Sequence, residues 1–508
     1  GNFRRLGMQP VTPMEGVETA RTRAFKHIVI VPCYTDPIEV LMDCLGSLLM
    51  QTHPERLLPV VAFEARTPDL ERKQATVKAA FQNRFGDFLV TVHTIEKQTE
   101  IPGGCSNKNY ALHQAHEYVK NCPGYQQTAV TVTTCDTDSL FSPQYFEVLE
   151  ACYNSENPTD ARAARMCVWQ PPLFYNWDLD KRPFFVRITG IMRSMMMLGG
   201  LISFNLNPMS IFSYPLELGL TGGFINPRYS VDDIIFKVRC MCATNQKIPI
   251  LLMPAPVISG PTIGTNYWQE IDEWARQIRR WIVGSSESFH YFVMHWRGRP
   301  LASGVSWFFM FFAYYAVLLC AGGVLTLLAS VPLPWVEYPR VCAGGTCFGL
   351  QEFGLVALVV QYVAFGVAFV IDYKAVRVMG IEEQVHPVRN IAHWLLSPVV
   401  LVVYSVISFY AIIKFIFRGK ADAGHVMAAK EGFTAAAKQE EELTGSMCRT
   451  TSFTRSTTPS GSFVNQVALQ HRRPAVELEE GDTAEVLLKL PERFYFGSYA
   501  FDPRAGLK

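Results

Sequence analysis

The sequence has little charge and almost no excess of either sign. Its 508 residues include 46 Lys or Arg and 45 Asp or Glu, which leaves a net charge of +1. Nucleic-acid-binding proteins carry a basic surface, so this balance argues against that class. Charged residues reach only 18% while hydrophobic residues reach 49%. This composition excludes a disordered chain and is typical of a membrane protein with a soluble domain.

The sequence also lacks the cysteine spacings of zinc sites and disulfide frameworks. Its 13 cysteines are scattered, without a CxxC pair or a Cys/His ligand pattern. We interpret them as mostly reduced thiols on the cytosolic side of a membrane. Cys342 and Cys347 are the exception, because they lie in a loop between two apolar stretches that would face the lumen or exterior, where a disulfide can form.

Residues 26–298 have the pattern of an α/β domain. Short β-branched runs at 27–32, 58–63 and 128–133 alternate with longer helix-like segments. Such alternation predicts a mainly parallel sheet with helices on its faces. Ligands bind at the carboxyl ends of strands in these sheets, so the residues directly after each run are candidates for function.

Residues 299–420 contain three long apolar stretches, at 303–330, 353–371 and 391–413. Each has close to the roughly 20 residues that span a bilayer, so we predict three transmembrane helices. The basic residues that flank them place both ends of the region on one side, which three crossings cannot satisfy. Either a crossing is missing, or the third stretch, which contains Pro398, is re-entrant or interfacial.

Three further segments complete the predicted organisation. Ile191 to Phe212 is apolar, but Arg193 and Pro208 favour a segment within the domain at the membrane interface over a span. Residues 1–25 are interpreted as an N-terminal extension. Residues 421–508 are interpreted as a polar, partly disordered, flexible tail with a Ser/Thr-rich run.

Two acids follow the third β-branched run. Asp136 and Asp138 alternate along the chain, so extended geometry would aim both carboxylates to one side. Two carboxylates at a strand end suit Mg²⁺ or Mn²⁺, hard ions that also bind phosphate oxygens. The alternative is a turn that two aspartates cap or solubilise.

Asp232 and Asp233 precede another apolar, helix-like stretch. Either they form the acidic first turn of a helix, or Asp233 is a general base that removes a proton from an acceptor hydroxyl.

Gln277, Arg280 and Trp281 share one face of a predicted helix, because they stand at i, i+3 and i+4. An amide, a cation and an aromatic ring can bind a sugar or a diphosphate. The alternative is an amphipathic helix at the membrane surface. Trp169 and Gln170 open an aromatic-rich segment that either binds an acceptor sugar or packs in the core.

Taken together, these motifs resemble the membrane-embedded family 2 glycosyltransferases, which include the cellulose, chitin and hyaluronan synthases. The resemblance extends over about Ile28 to Gly284. It is carried by the segments Val31–Asp36, Gly103–Leu112, Asp136–Asp138, Gly222–Phe224, Val231–Asp233 and Gln277–Trp281.

The resemblance implies a GT-A domain on the cytosolic face of a multi-pass membrane protein of the plasma membrane or Golgi. It implies inverting transfer from a nucleotide-diphospho-sugar, usually a UDP-sugar, with a divalent metal. Asp138 would hold the metal, Asp136 and Lys108 would contact the donor, and Asp233 would be the catalytic base. Asp232, with the QxxRW residues, would contact the leaving diphosphate and the acceptor.

The sequence departs from the family pattern in two places. Glu64 stands where the family usually has a nucleotide-binding Asp, and Asp232 replaces a Glu. Tyr34 and Asp36 are further candidates for the nucleotide pocket, with a simple strand-end turn as the alternative.

Three functions remain open from the sequence. The first is a polysaccharide synthase that extends and exports a polymer, and the second is a single-transfer enzyme that glycosylates a lipid, as ceramide glucosyltransferases do. The third is a non-catalytic membrane scaffold. The expected partners are a nucleotide-sugar donor, a carbohydrate or lipid acceptor and membrane lipid, without nucleic acid; a homo-oligomer or an accessory subunit stays open.

Overall fold

A computed structural model describes most of the chain between residues 24 and 418. The described residues are 24–96, 99–126, 128–155, 166–175, 179–260, 262, 264, 266–295, 301–331, 340–343, 346–378 and 387–418. The predicted tail at 421–508 and nearly all of the predicted N-terminal extension lie outside these ranges.

Seven strands form the main sheet, in the order β3-β2-β1-β4-β8-β6-β9. They are β1 (Phe25–Cys33), β2 (Leu57–Glu64), β3 (Leu89–His93), β4 (Ala129–Thr134), β6 (Val168–Gln170), β8 (Phe212–Pro215) and β9 (Ile250–Leu252). The first four run parallel to one another, and β8 is antiparallel to β4 and β6. A smaller sheet joins β5 (Ser139–Phe141), β7 (Leu173–Phe174) and β10 (Val257–Ser259). The α/β class predicted from the sequence is confirmed.

Helices cover both faces of the main sheet. They are α1 (Ile38–Leu49), α2 (Leu70–Phe81), α3 (Gly104–Asn121), α4 (Tyr145–Ser155), α5 (Phe184–Met196), α6 (Leu216–Gly222), α7 (Asp232–Thr244) and α8 (Tyr267–Met294). Successive residues of a strand point to opposite faces. Val29 and Val31 of β1 therefore pack in the core that α1, α2 and α4 cover, while Ile28 and Ile30 pack in the core that α3, α6 and α7 cover.

Burial on two faces explains why the strands have apolar runs and not alternating patterns. All eight residues of β2 are buried, as expected for a parallel strand between two layers of helices. The register that pairs Cys33 with Phe63 brings the carboxyl ends of β1 and β2 to one edge.

Four apolar helices among the described residues are long enough to cross a membrane, namely Phe184–Ile202, Gly304–Ser330, Leu350–Arg377 and Pro387–Arg418. The last three contain nearly all of the predicted stretches. They correspond to α9 (Leu301–Phe311), a π-helical segment (Phe312–Ala321) and α10 (Gly322–Ser330), then α11 (Leu350–Val378) and α12 (Pro387–Arg418). Pro398 lies inside α12 and does not end it.

The first of the four is α5 with its π-helical continuation Met197–Ile202. The sequence predicts that Ile191 to Phe212, which overlaps this helix, lies within the domain at the membrane interface, and this helix is more buried than the other three. It packs against α8 of the soluble domain and against α11 and α12. Arg187 donates to Asn390 Oδ1 at 2.8 Å, and its Nη1 lies 3.1 Å from His393 Nδ1, so polar contacts also join α5 to α12.

A hairpin precedes α11, formed by β11 (Arg340–Ala343) and β12 (Thr346–Gly349). Cys342 is disulfide-bonded, and the backbone register places it opposite Cys347. The soluble domain differs, since Cys44, Cys105 and Cys135 are buried and reduced. This contrast agrees with the cysteine usage expected from the sequence.

Candidate active site

A cleft lies at the carboxyl ends of β1, β2 and β4, with about 1190 Å³ of space that is partly open to solvent. Most of the site residues predicted from the sequence line it. These are Tyr34, Glu64, Lys108, Asp136, Asp138, Asp232, Asp233, Gln277, Arg280 and Trp281. They come from distant parts of the chain, and the parallel strand order brings them together.

The two acids of the DxD motif lie in the turn between β4 and β5. The Asp136 carboxylate is 37% exposed, whereas Asp138 is buried. Between them, Thr137 donates to the carbonyl of Pro32 at 2.5 Å and to Asp36 Oδ2 at 3.2 Å. These bonds hold the turn against the end of β1.

Asp36 does not line the cleft. It is 3% exposed, its Oδ2 accepts hydrogen bonds from the Thr137 hydroxyl and from the backbone N–H of Tyr34, and its carbonyl accepts from Lys73 at 2.7 Å. In this position Asp36 fixes the strand-end turn, as the alternative interpretation expected, and its donor-binding role stays a prediction.

The donor set at this turn fits a hard divalent cation. Carboxylate oxygens are the ligands that Mg²⁺ and Mn²⁺ prefer. A Cβ at Gly260 would lie 3.2 Å from Asp138 Oδ2, so the glycine leaves room beside this carboxylate. Within the described part of the chain, no group of three or more His, Cys, Asp or Glu could hold an ion by itself. An ion here would also need phosphate or water oxygens, which is usual for Mg²⁺.

Lys108 joins the two acidic motifs. Gly103 precedes α3 at φ 141°, a conformation that favours glycine, and Asn107 anchors the helix by donating to the Ala62 carbonyl at 2.7 Å. The Lys108 ammonium then lies 2.6 Å from Asp232 Oδ2 and 3.4 Å from Asp136 Oδ1. Burial acts to lower its pKa, but these two carboxylates outweigh burial and raise the pKa above its usual range.

Asp233 has a different environment from its neighbour. Its Oδ1 accepts from the backbone N–H of Ile234 at 2.7 Å, and its Oδ2 accepts from that of Ser210 at 3.2 Å. Burial, together with the negative charge of Asp232, raises the pKa of Asp233 to about 7. A carboxyl group with such a pKa can accept a proton near neutral pH.

The QxxRW residues lie near the middle of α8, which begins at the cap residue Asn266. Gln277 accepts a hydrogen bond from the Thr262 hydroxyl at 2.9 Å. Burial lowers the pKa of Arg280, and the charges of Asp136 and Asp232 oppose that shift. As their spacing predicted, Gln277, Arg280 and Trp281 all face the cleft.

Arg66, which was not predicted as a site residue, contacts two residues that line the cleft. Glu64 is 2% exposed and forms an ion pair with Arg66. The guanidinium of Arg66 also lies 5.1 Å from the ring centroid of Tyr34. An aromatic ring, a cation and a carboxylate together can bind a planar, hydrogen-bonding group.

Trp169 and Gln170 do not reach the cleft. Trp169 is 1% exposed and lies 5.7 Å from the ring of Tyr153 in the core. The Gln170 amide donates to the Ile211 carbonyl at 2.8 Å and accepts from the Met209 N–H at 2.7 Å. These positions favour the packing interpretation, and the acceptor role of the two residues stays a prediction.

Arg193 and Tyr175 also line the cleft. Tyr175 belongs to the aromatic-rich segment that begins at Trp169, whereas Arg193 was not predicted as a site residue. Arg193 donates to the Tyr175 hydroxyl at 2.7 Å, and its guanidinium lies 4.5 Å from the Trp281 ring centroid. Arg193 could have been identified from the sequence as an arginine inside an apolar helix, since such residues usually have a function.

No protein-family model matches the chain, and no curated protein matches it. Similar solved structures include the mannosyltransferase PcManGT from Pyrobaculum calidifontis in complex with GDP-Man and Mn²⁺. It is 13% identical with a TM-score of 0.38, and the alignment covers 78% of this chain and 88% of that one. Another is a fragment of S. aureus TarS in complex with UDP-GlcNAc, 14% identical with a TM-score of 0.33, covering 63% of this chain and 95% of that one.

Proposed function

We propose that this chain is an inverting glycosyltransferase with a GT-A domain of the family 2 type. It transfers a sugar from a nucleotide-diphospho-sugar to a hydroxyl acceptor at a membrane. The observation that carries the proposal is the single cleft in which Lys108, the DxD acids, Asp233 and the QxxRW face converge.

The donor would bind along the strand ends. Tyr34 and Glu64, with Arg66, bind the nucleotide base and ribose, and the preferred donor is a UDP-sugar. Asp136 and the cations Lys108 and Arg280 orient the diphosphate, where positive charge stabilises the departing nucleotide. Asp138 would hold Mg²⁺ or Mn²⁺, which when bound neutralises charge on the leaving diphosphate.

The acceptor hydroxyl would be activated by Asp233. Its carboxyl is held by two backbone N–H groups, and its pKa near 7 lets it accept the proton as the hydroxyl attacks the anomeric carbon. Direct attack from the face opposite the diphosphate inverts the configuration and needs no covalent sugar–enzyme intermediate. Asp232 does not compete for this role, because Lys108 keeps it in an ion pair.

The four long apolar helices support a multi-pass membrane protein. By resemblance to the synthases, the cleft would lie on the cytosolic side of the plasma membrane or Golgi. By the same resemblance, one candidate acceptor is a growing polysaccharide that is exported, and the other is a membrane lipid that receives a single sugar. The competing function, a scaffold without activity, has no use for the charged groups gathered in the cleft.

Nucleotide release by the detergent-purified chain tests the proposal. We expect release from one of a panel of UDP- and GDP-sugars, in the presence of Mg²⁺ or Mn²⁺ and a membrane extract as the acceptor source. Asp233→Asn should lower kcat by about 10²- to 10⁴-fold with little change in donor KM. Asp272→Asn is the matched control, since Asp272 is exposed on α8 and pairs only locally with Arg276. Failure to release nucleotide from any donor would favour the scaffold.

A further inference from the structure

A second cavity adjoins the cleft on the side of the apolar helices. It has about 650 Å³ of space, part of which is open to solvent. Asp233, Arg193 and Trp281 line both spaces. The proposed base therefore stands where the two spaces meet.

The walls of this cavity are apolar and come from the membrane-type helices. Met192, Met196 and Leu201 contribute from α5 and its continuation, and Leu319 from the π-helical segment. Tyr404 contributes from α12. Methionine side chains adapt to flexible apolar groups, so the walls suit a hydrocarbon.

Most of the polar side chains around the cavity already have partners inside the protein. Thr189 accepts a hydrogen bond from the Trp274 indole at 2.9 Å, and Ser285 donates to the Trp281 carbonyl at 2.7 Å. Asn207 accepts from the Tyr315 hydroxyl at 3.0 Å. These bonds leave fewer polar groups for a sugar polymer in this space, and each hydrogen bond to water that a sugar lost without replacement would be unfavourable.

The charged groups around this cavity, Arg193 and Asp233, stand at the junction with the cleft. Arg193 is fixed there by the Tyr175 hydroxyl and the Trp281 ring. The site is thus polar at the junction and apolar beyond it, which is the profile of an amphiphile with a small polar head.

We propose that the apolar cavity holds the hydrocarbon part of a lipid alcohol and presents its hydroxyl to Asp233, so that the acceptor is a membrane lipid and not a polysaccharide. This inference rests on the proposed glycosyltransferase function. In the step, the lipid hydroxyl oxygen forms a bond to the anomeric carbon while the bond from that carbon to the diphosphate oxygen breaks. The electron pair leaves with the nucleoside diphosphate, and Asp233 takes the hydroxyl proton.

Transfer assays of the whole chain with a panel of acceptors test this inference. With the donor that supports nucleotide release, ceramide, diacylglycerol and a sterol are supplied separately in mixed micelles, and oligosaccharides are supplied as soluble acceptors. We expect one of the lipids to receive a single sugar, detected by mass spectrometry of the organic phase. In a series of linear alcohols at equal free concentration, kcat/KM should rise by about fourfold for each added methylene until the cavity is full.

A bulky residue in the cavity provides a second test. Met196→Trp should reduce transfer to lipid by about tenfold or more, while slow hydrolysis of the donor by water continues because the cleft is unchanged. The matched control is Met195→Trp, since Met195 lies on the same helix but does not line the cavity. Equal effects of both variants on lipid transfer would overturn the inference.

The assays distinguish failure of the lipid-acceptor proposal from failure of the glycosyltransferase proposal. Transfer to oligosaccharides but to no lipid, or rates independent of alkyl chain length, would overturn the lipid acceptor and leave the glycosyltransferase in place. Absence of both transfer and donor hydrolysis would overturn the glycosyltransferase itself.

Discussion

The cleft and the apolar cavity share Asp233 but are built in opposite ways. The cleft gathers side chains from strand ends and helix starts, and its cations are held by acids, as Lys108 is by Asp232. The cavity is lined by the flanks of long helices, and most of its polar side chains are hydrogen-bonded within the protein. The difference supports the proposal that the cleft binds charged groups and the cavity binds hydrocarbon, with the reaction at their boundary.

The largest effect on stability and donor binding should come from removing the ammonium group of Lys108. Lys108→Met leaves Asp232 and Asp136 without the buried ammonium that they share. Loss of one partner of a buried ion pair destabilises by about 3–5 kcal/mol, and the partial exposure of Asp136 favours the lower end. We expect a lower Tm and a donor KM raised at least about tenfold, measured by thermal unfolding and nucleotide release. An unchanged donor KM would remove Lys108 from the donor site.

The pH dependence of kcat should report the titration of Asp233, which lies where the cleft and the cavity meet. The pKa of Asp233 is raised to about 7, so the folded protein binds this proton in a pH range where the unfolded chain has released it. Activity needs the deprotonated carboxylate, and kcat should therefore fall about tenfold for each pH unit below about 7. The contribution of Asp233 to stability has the opposite sign, since it decreases as pH rises from 3.8 to about 7. A kcat that is flat between pH 5.5 and 7 would contradict the assignment.

A smaller effect is expected where α8 packs on α7. A Cβ at Gly284 would overlap the side chain of Val231, which lines both spaces. Gly284→Ala should cost about 1–3 kcal/mol through overpacking and lower kcat by moving Asp233 relative to Trp281. Gly199→Ala is the control, because nothing lies within 4 Å of a Cβ there. Equal Tm values for the two variants would show that the helices separate without cost.

The smallest effect is expected at Trp169. It lies in the core, and its indole N–H has no hydrogen-bond partner in the structure. Trp169→Phe removes this buried donor and keeps most of the packing, so activity should stay within about twofold of wild type. A change confined to acceptor KM would return Trp169 to the acceptor site.

Local patterns in the sequence located the cleft well. Asp136 and Asp138 directly follow a β-branched run, and the i, i+3, i+4 spacing of Gln277, Arg280 and Trp281 placed them on one helix face. Parallel strand order then determines that such segments meet at one edge of the sheet. These features depend on neighbouring residues or on general rules of α/β folds.

The cavity and the positions of Arg193, Trp169 and Gln170 depend on contacts between distant segments. Arg193 reaches the site because α5 packs between α8 and the helices α11 and α12, which no local pattern encodes. An aromatic run such as Trp169 to Tyr175 has the same local signature in a core as at a sugar site. The pairing of β6 with β8 and β9 decided the outcome for Trp169 and Gln170.

The contact between α5 and α12 links the tilt of α12 to the position of Arg193. Arg187 binds Asn390 of α12, and Arg193 lies six residues later, only about 9 Å along the helix axis. A tilt of α12 in a thinner or thicker bilayer would move α5, and with it the guanidinium that borders both spaces. A dependence of the proposed transfer rate on the acyl-chain length of the surrounding lipids would follow from this contact.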